Sequence, residues 1–110
     1  MRIVIVCALV EEAAAIFAGQ GEAGILGPLP VRRIDAHGHA ITVATCGLGK
    51  VNAALASALL FGAERPDIIA MSGTCGKIGT LAGDAFWIAE AIQHDYGAEI
   101  PGEFIHYSAG

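Results

Sequence analysis

The chain has 110 residues, 55% of them hydrophobic and 15 of them glycine, with a net charge of −5. That size and composition fit one α/β domain at the short end of the usual range. An acidic balance without a basic run excludes the electrostatic footprint of a nucleic-acid binder, and no apolar stretch reaches membrane-spanning length.

Residues 2–9, RIVIVCAL, form a continuous apolar, largely β-branched run, which predicts a strand buried on both faces. Glu11 and Glu12 end the run, and no small-residue cleavage site follows. The start therefore reads as a core strand rather than a leader peptide, and the chain is expected in the cytoplasm. Residues 11–17 are Ala-rich and predict a helix. Residues 19–30 hold four glycines and two prolines and read as a loop. Residues 31–36 and 40–46 read as two strands joined through His37, Gly38 and His39. Residues 50–62 predict a helix, with Leu55, Leu59 and Leu60 at helical spacing, ended by Pro66 and Asp67. Residues 68–71 predict a short buried strand. Residues 72–83 are glycine-rich loop, residues 85–91 are strand-like, and residues 97–110 have no clear period. Trp87, in the strand-like run, is expected in the core or an interface.

This rhythm of strand, loop and helix predicts an α/β layer with a largely parallel sheet. Ligands bind such sheets at the carboxyl ends of the strands. The turns at residues 8–12, 46–50 and 72–76 would all fall there and could converge on one pocket. Cys7, Cys46 and Cys75 are isolated and odd in number, with no zinc spacing, and read as small buried hydrophobes. His37 and His39 read as solvated turn residues.

The stretch TCGLGKVNAALASALL, from Thr45 to Leu60, runs from a strand through two glycines into a helix. It is not a phosphate loop, because Ala44 stands where the first glycine belongs and Val51 follows Lys50 in place of a hydroxyl. It is not a dinucleotide fingerprint, because the third glycine position holds Asn52. What remains is either a tight turn or a close backbone approach to a ligand.

The ordered set IVIVCALVEEAAAI, CGLGKVNAALASALL, RPDIIAMSGTCGKIG and LAGDAFWIAEAIQHD resembles the nucleoside phosphorylase superfamily. Within it the set is most similar to the methylthioadenosine/S-adenosylhomocysteine nucleosidases. The resemblance covers the chain to about Asp95. It implies a three-layer α/β fold, with a twisted mixed central sheet flanked by helices and incomplete in this chain. It implies cleavage of the bond between ribose C1′ and adenine N9 of a small nucleoside, in purine and methionine salvage. It implies no cofactor and no metal, a homodimer or larger homo-oligomer, and no nucleic-acid or membrane partner.

Carried over by position, the resemblance makes Glu12 the general base that deprotonates the attacking water. The plainer reading of Glu12 is a first-turn glutamate favoured by the helix dipole. Ala8 would lie beside the nucleophile site, and Leu48 would line the ribose and thioether region. Thr74, Cys75 and Gly76 would border ribose and base. In many phosphorylases of the superfamily an arginine sits two residues before the loop glycine, where this chain has Met71. A dianionic phosphate calls for such a donor, so the residues favour water as acceptor. The string Gly73–Gly76 is more like some phosphorylases, which keeps phosphorolysis as the alternative.

Family chains are about twice this length. The aspartate that protonates the leaving base, the ribose clamp and the stacking aromatic cannot be placed here, and His94 with Asp95 does not replace them. Gly110 therefore falls inside the family's domain. The chain is expected to be the amino-terminal part of a single domain, unable to catalyse alone. A non-catalytic module completed by a partner is a further alternative.

Overall fold

A computed structural model describes residues 1–107; residues 108–110, and with them the expectation attached to Gly110, lie outside the described residues. The chain forms two compact units, Met1–Gly76 and Lys77–Gly110.

The first unit is a mixed five-stranded sheet with two helices. Its strands are β1 (Arg2–Cys7), β2 (Glu22–Leu26), β3 (Leu29–Ala36), β4 (His39–Thr45) and β5 (Ile68–Met71), in the spatial order β2-β3-β4-β1-β5. The helices are α1 (Val10–Phe17) and α2 (Lys50–Glu64). β1 pairs in parallel with β4 and with β5, while β2, β3 and β4 form an antiparallel meander. The sheet is mixed, as the resemblance implied, rather than largely parallel as the strand–helix rhythm suggested, because two hairpins lie between α1 and α2.

Alternation along the strands builds the two sides of the core. Val4 and Val6 of β1 join Val31, Ala44, Ala56 and Leu60 on the α2 side. Ile5 and Cys7 join Ala13, Ile16, Phe17 and Val43 on the α1 side. The helices therefore cover opposite faces, giving three layers. α2 ends at Arg65, whose left-handed φ of 46° and N–H bond to the Phe61 carbonyl close the last turn before Pro66. At the same end of the sheet Arg2 donates from its backbone to Asp67 Oδ2 at 2.7 Å and from its side chain to the Glu64 carbonyl at 2.8 Å. Arg33 pairs with Glu64 at 2.7 Å.

Three further expectations are corrected in this unit. The supposed loop at residues 19–30 contains β2 and the start of β3. Gly21 (φ 80°) and Gly27 (φ 58°) are turn residues, but Gly24 lies within β2, opposite Val31. Composition signalled punctuation there, whereas pairing across the Gly27–Pro28 turn made a hairpin. The turn between β3 and β4 is His37–Gly38, both at positive φ, with His39 already in β4. β5 has its expected bounds but is not buried. It is an edge strand with Ile68, Ile69 and Met71 exposed.

The second unit contains an antiparallel hairpin of β6 (Gly97–Ile100) and β7 (Glu103–His106), turned at Pro101 and Gly102. Tyr96 and Tyr107 meet edge to face at its open end, with ring centroids 5.4 Å apart. This hairpin escaped the sequence reading because its short strands, GAEI and EFIH, carry neither a continuous apolar run nor a β-branched one. Residues 85–91 form no strand, and Trp87 is 99% exposed rather than in a core. Strand propensity alone does not create a strand without a pairing partner.

Leu60 has no exposed surface, whereas Ile25 on edge strand β2 is 77% exposed. Leu60→Ala should cost about 2–5 kcal/mol in urea unfolding of the chain, and Ile25→Ala should stay within about 0.5 kcal/mol of wild type.

Candidate functional site

Parallel pairing of β1 with β4 and β5 carries the segments that follow all three strands to one end of the sheet. Cys46 N–H donates to the Cys7 carbonyl at 2.8 Å and Gly47 N–H to the Ala8 carbonyl at 3.1 Å, which ties the β4 turn to the β1 turn. Ser72 N–H donates to the Val6 carbonyl at 3.0 Å and leads the chain off β5 toward α1.

Glu12 stands where these segments meet. It is the third residue of α1, and its Oε2 accepts the Leu9 N–H at 3.1 Å. That is one half of a capping box; Leu9 has no side-chain acceptor to supply the other half. Its Oε1 accepts both the N–H and the hydroxyl of Thr74, each at 2.8 Å. These two donors of Thr74, followed by the N–H groups of Leu9 and Ala8, hold the Glu12 carboxyl below its ordinary value of 4.5. Gly73 leaves room for the carboxylate, since a Cβ there would lie 3.2 Å from Oε1 and 3.4 Å from Oε2 and would press it aside by a few tenths of an ångström. The result is an ionised carboxylate at the carboxyl ends of three parallel strands.

The other candidate residues divide into two groups. Ala8 and Thr74 belong to this cluster directly, Ala8 through its backbone and Thr74 through backbone and side chain. Cys75 and Gly76 continue the Thr74 loop and are exposed. Leu48 is 69% exposed and takes part through its carbonyl, which accepts the Asn52 amide at 2.7 Å. Asn52, the residue that defeats a dinucleotide fingerprint, is thus the brace of the glycine turn. A Cβ on Gly47 would lie 3.1 Å from the Asn52 amide nitrogen, so glycine and asparagine fit each other. Gly73 entered the sequence reading only as the loop glycine, and the Leu9 N–H did not enter it. The signal for Leu9 was available in the glutamate three residues on; the closeness of Gly73 to Glu12 depends on the fold.

Cys7 is buried, and burial, followed by the Glu12 carboxylate and Cys46, pushes its thiol up to about 11. A neutral buried thiol is a packing group rather than a nucleophile. Cys46 is half-buried and Cys75 exposed, so the three cysteines are not uniformly the buried hydrophobes expected. Among the described residues no group of three His, Cys, Asp or Glu is arranged to hold a metal ion, and no helix is long and apolar enough to cross a membrane.

A family model described as the phosphorylase superfamily matches residues 2–109. The chain belongs to the phosphorylase superfamily. Among solved structures, a 5′-methylthioadenosine/S-adenosylhomocysteine nucleosidase from Helicobacter pylori is 26% identical with a TM-score of 0.62, over 69% of this chain and 34% of that one. The futalosine hydrolase of H. pylori is 26% identical with a TM-score of 0.61, over the same shares of the two chains. A nucleosidase from Colwellia psychrerythraea, at 23% identity and a TM-score of 0.59 over 64% of this chain and 30% of that one, supports the fold alone. No curated protein matches. This superfamily member thus aligns with about a third of the length of these solved relatives.

Two measurements check the site. Because folding depresses the Glu12 carboxyl, its stabilising effect is complete above 4.5 and is lost as the pH falls through the folded value. The stability gap between wild type and Glu12→Gln should therefore close on acidification in urea melts; a gap that widens would contradict the assignment. In native alkylation with iodoacetamide at mildly alkaline pH, Cys75 should label first and Cys7 last, with all three labelled in denaturant.

Proposed function

We propose that this chain is the amino-terminal part of a single nucleosidase-like domain that hydrolyses the N-glycosidic bond of an adenosine-type nucleoside, methylthioadenosine or S-adenosylhomocysteine, releasing adenine. The observation that carries the proposal is the ionised Glu12 carboxylate at the meeting of three strand ends. Family membership and the two Helicobacter pylori hydrolases at 26% identity support it. The fraction of each relative that the chain spans supports its assignment as part of a longer domain.

In this reading positive charge builds on the ribose ring as the bond to adenine N9 breaks. Glu12 orients a water beneath C1′ and takes its proton as the new bond forms. Ala8 lies beside the water, Leu48 lines the 5′ side, and Thr74, Cys75 and Gly76 border ribose and base. Cys75 contributes surface and no covalent chemistry. The leaving-group acid and the ribose clamp come from residues outside this sequence, and the working unit is a cytoplasmic homodimer or larger homo-oligomer. Met71, at the end of β5 where an arginine would bind phosphate, favours water as the acceptor. The Gly73–Gly76 string favours phosphorolysis as the second reading.

The intact mass of the native gene product comes first. A value well above that of the 110 residues supports a longer domain; a match to them overturns it. The native product should then release adenine from methylthioadenosine without phosphate, and Glu12→Ala should lower kcat by about 10²–10⁴-fold. Adenine release only with phosphate would select the phosphorylase reading. Wild-type turnover in Glu12→Ala would refute Glu12 as the base.

A further inference from the structure

Leu48 stands between Gly47 and Gly49, whose φ angles of 85° and 95° lie in the region that favours glycine. Its side chain is largely exposed, so packing does not fix it. Hydrogen bonds to the turn backbone do that instead. Gly47 N–H reaches the Ala8 carbonyl on the β1 side, and Ala53 N–H reaches the Gly49 carbonyl as α2 begins. The bond to Leu48 itself comes from a side chain: its carbonyl accepts the Asn52 amide at 2.7 Å. A carbonyl only accepts, so the group facing it must be a donor.

Asn52 is the third residue of α2, whose first turn holds no acidic residue. An aspartate there would suit the positive end of the helix dipole at least as well. It would not suit the Leu48 carbonyl, which needs a donor. Bracing the turn and starting the helix are therefore different demands on position 52, and the asparagine meets the first.

We propose that Asn52 is a positioning residue that sets specificity at C5′: by holding the Leu48 carbonyl it places the Leu48 side chain against the 5′ substituent, and so favours an apolar thioether there over a hydroxyl. The proposal rests on the reading of this chain as part of a nucleosidase with Leu48 on the 5′ side. A methylthio group gains burial against the Leu48 isobutyl group, whereas a hydroxyl in the same place finds no hydrogen-bond partner in it. The gain depends on Leu48 being placed beforehand. A turn free to swing about two glycines would have to be ordered by the ligand, at a cost in affinity. Asn52 acts through Leu48 and need not touch the nucleoside itself. Gly47 serves the same arrangement, since a Cβ there would lie 3.1 Å from the Asn52 amide nitrogen.

The test is the ratio of kcat/KM for methylthioadenosine to that for adenosine, which carries a hydroxyl at C5′, measured on the native gene product. Asn52→Asp and Asn52→Ala should each lower the ratio about tenfold, as Leu48→Ala should. Either Asn52 variant combined with Leu48→Ala should lower it no further than Leu48→Ala alone, because both changes remove one contact. The melting temperature of Asn52→Asp should hold or rise. A residue that merely starts α2 gives that same melting result with an unchanged ratio, and an unchanged ratio overturns the proposal. So do losses that multiply in the double variant, since Asn52 then acts elsewhere than through Leu48. Should one Asn52 variant fail to fold, the other decides. Where wild type releases adenine from neither nucleoside, the hydrolase reading fails, and the same ratios are taken from the Kd values of the two nucleosides by calorimetry. Selectivity for methylthioadenosine that is lost in the Asn52 variants then upholds the role of Asn52 without hydrolysis. Binding of neither nucleoside overturns both readings.

Discussion

β1 is hydrogen-bonded along both edges, to β4 and to β5, and covered on both faces, by α1 and by α2. Its residues have no exposed side to spare after Arg2, which is why the run is almost wholly apolar and β-branched. Because both pairings are parallel, the chain must leave β1, β4 and β5 at the same end of the sheet. The β1 turn, the glycine turn before α2 and the loop after β5 meet for that reason. At the opposite end Arg2, Arg33, Glu64 and Asp67 tie the start of β1 to β3 and to the end of α2. The polar groups at the two ends do different work: one set anchors elements, and the other surrounds a carboxylate.

That carboxylate has a structural duty beside the chemical one proposed for it. α1 is preceded by Leu9, which cannot cap the helix with its own side chain, and Glu12 supplies an acceptor by reaching back. The same side chain then binds the loop after β5 through Thr74. Helix start, central strand and edge-strand loop are thus joined at one residue. The plain reading of Glu12 as a first-turn glutamate and its reading as a base are compatible, because donors that cap and bind also keep the group ionised and aimed. β5 has a paired edge and an open one, and exposes Ile68, Ile69 and Met71. Such an edge can accept a further strand, consistent with an alignment over only a third of the solved relatives.

Elements with strong local signals were legible in the sequence. β1 is a β-branched run, α2 an Ala- and Leu-rich stretch ended by Pro66, and β3 and β4 flank a turn whose residues tolerate positive φ. The family was legible too, from the order of four motifs. β2 and the β6–β7 hairpin were not, because short strands with glycine or without alternation owe their existence to partners. The exposure of β5 and Trp87 was equally hidden, since apolar composition gives the tendency to bury and not what is available to bury against.

For the site, the sequence named Glu12, Thr74 and the three turns as places where chemistry could gather. Residue type decides what a carboxylate, a hydroxyl or a glycine is able to do. The sequence by itself thus determined the family, the central strand, the crossover helix and the candidate acid–base group. Only the tertiary structure decided that Thr74 gives both its donors to Glu12, that a side chain at Gly73 would press on that carboxylate, that Asn52 braces the glycine turn and that Cys7 is a buried neutral thiol. Those are contacts between segments as far apart as residues 12 and 74, set by strand order and parallel register. Neither is encoded in any local stretch of the chain.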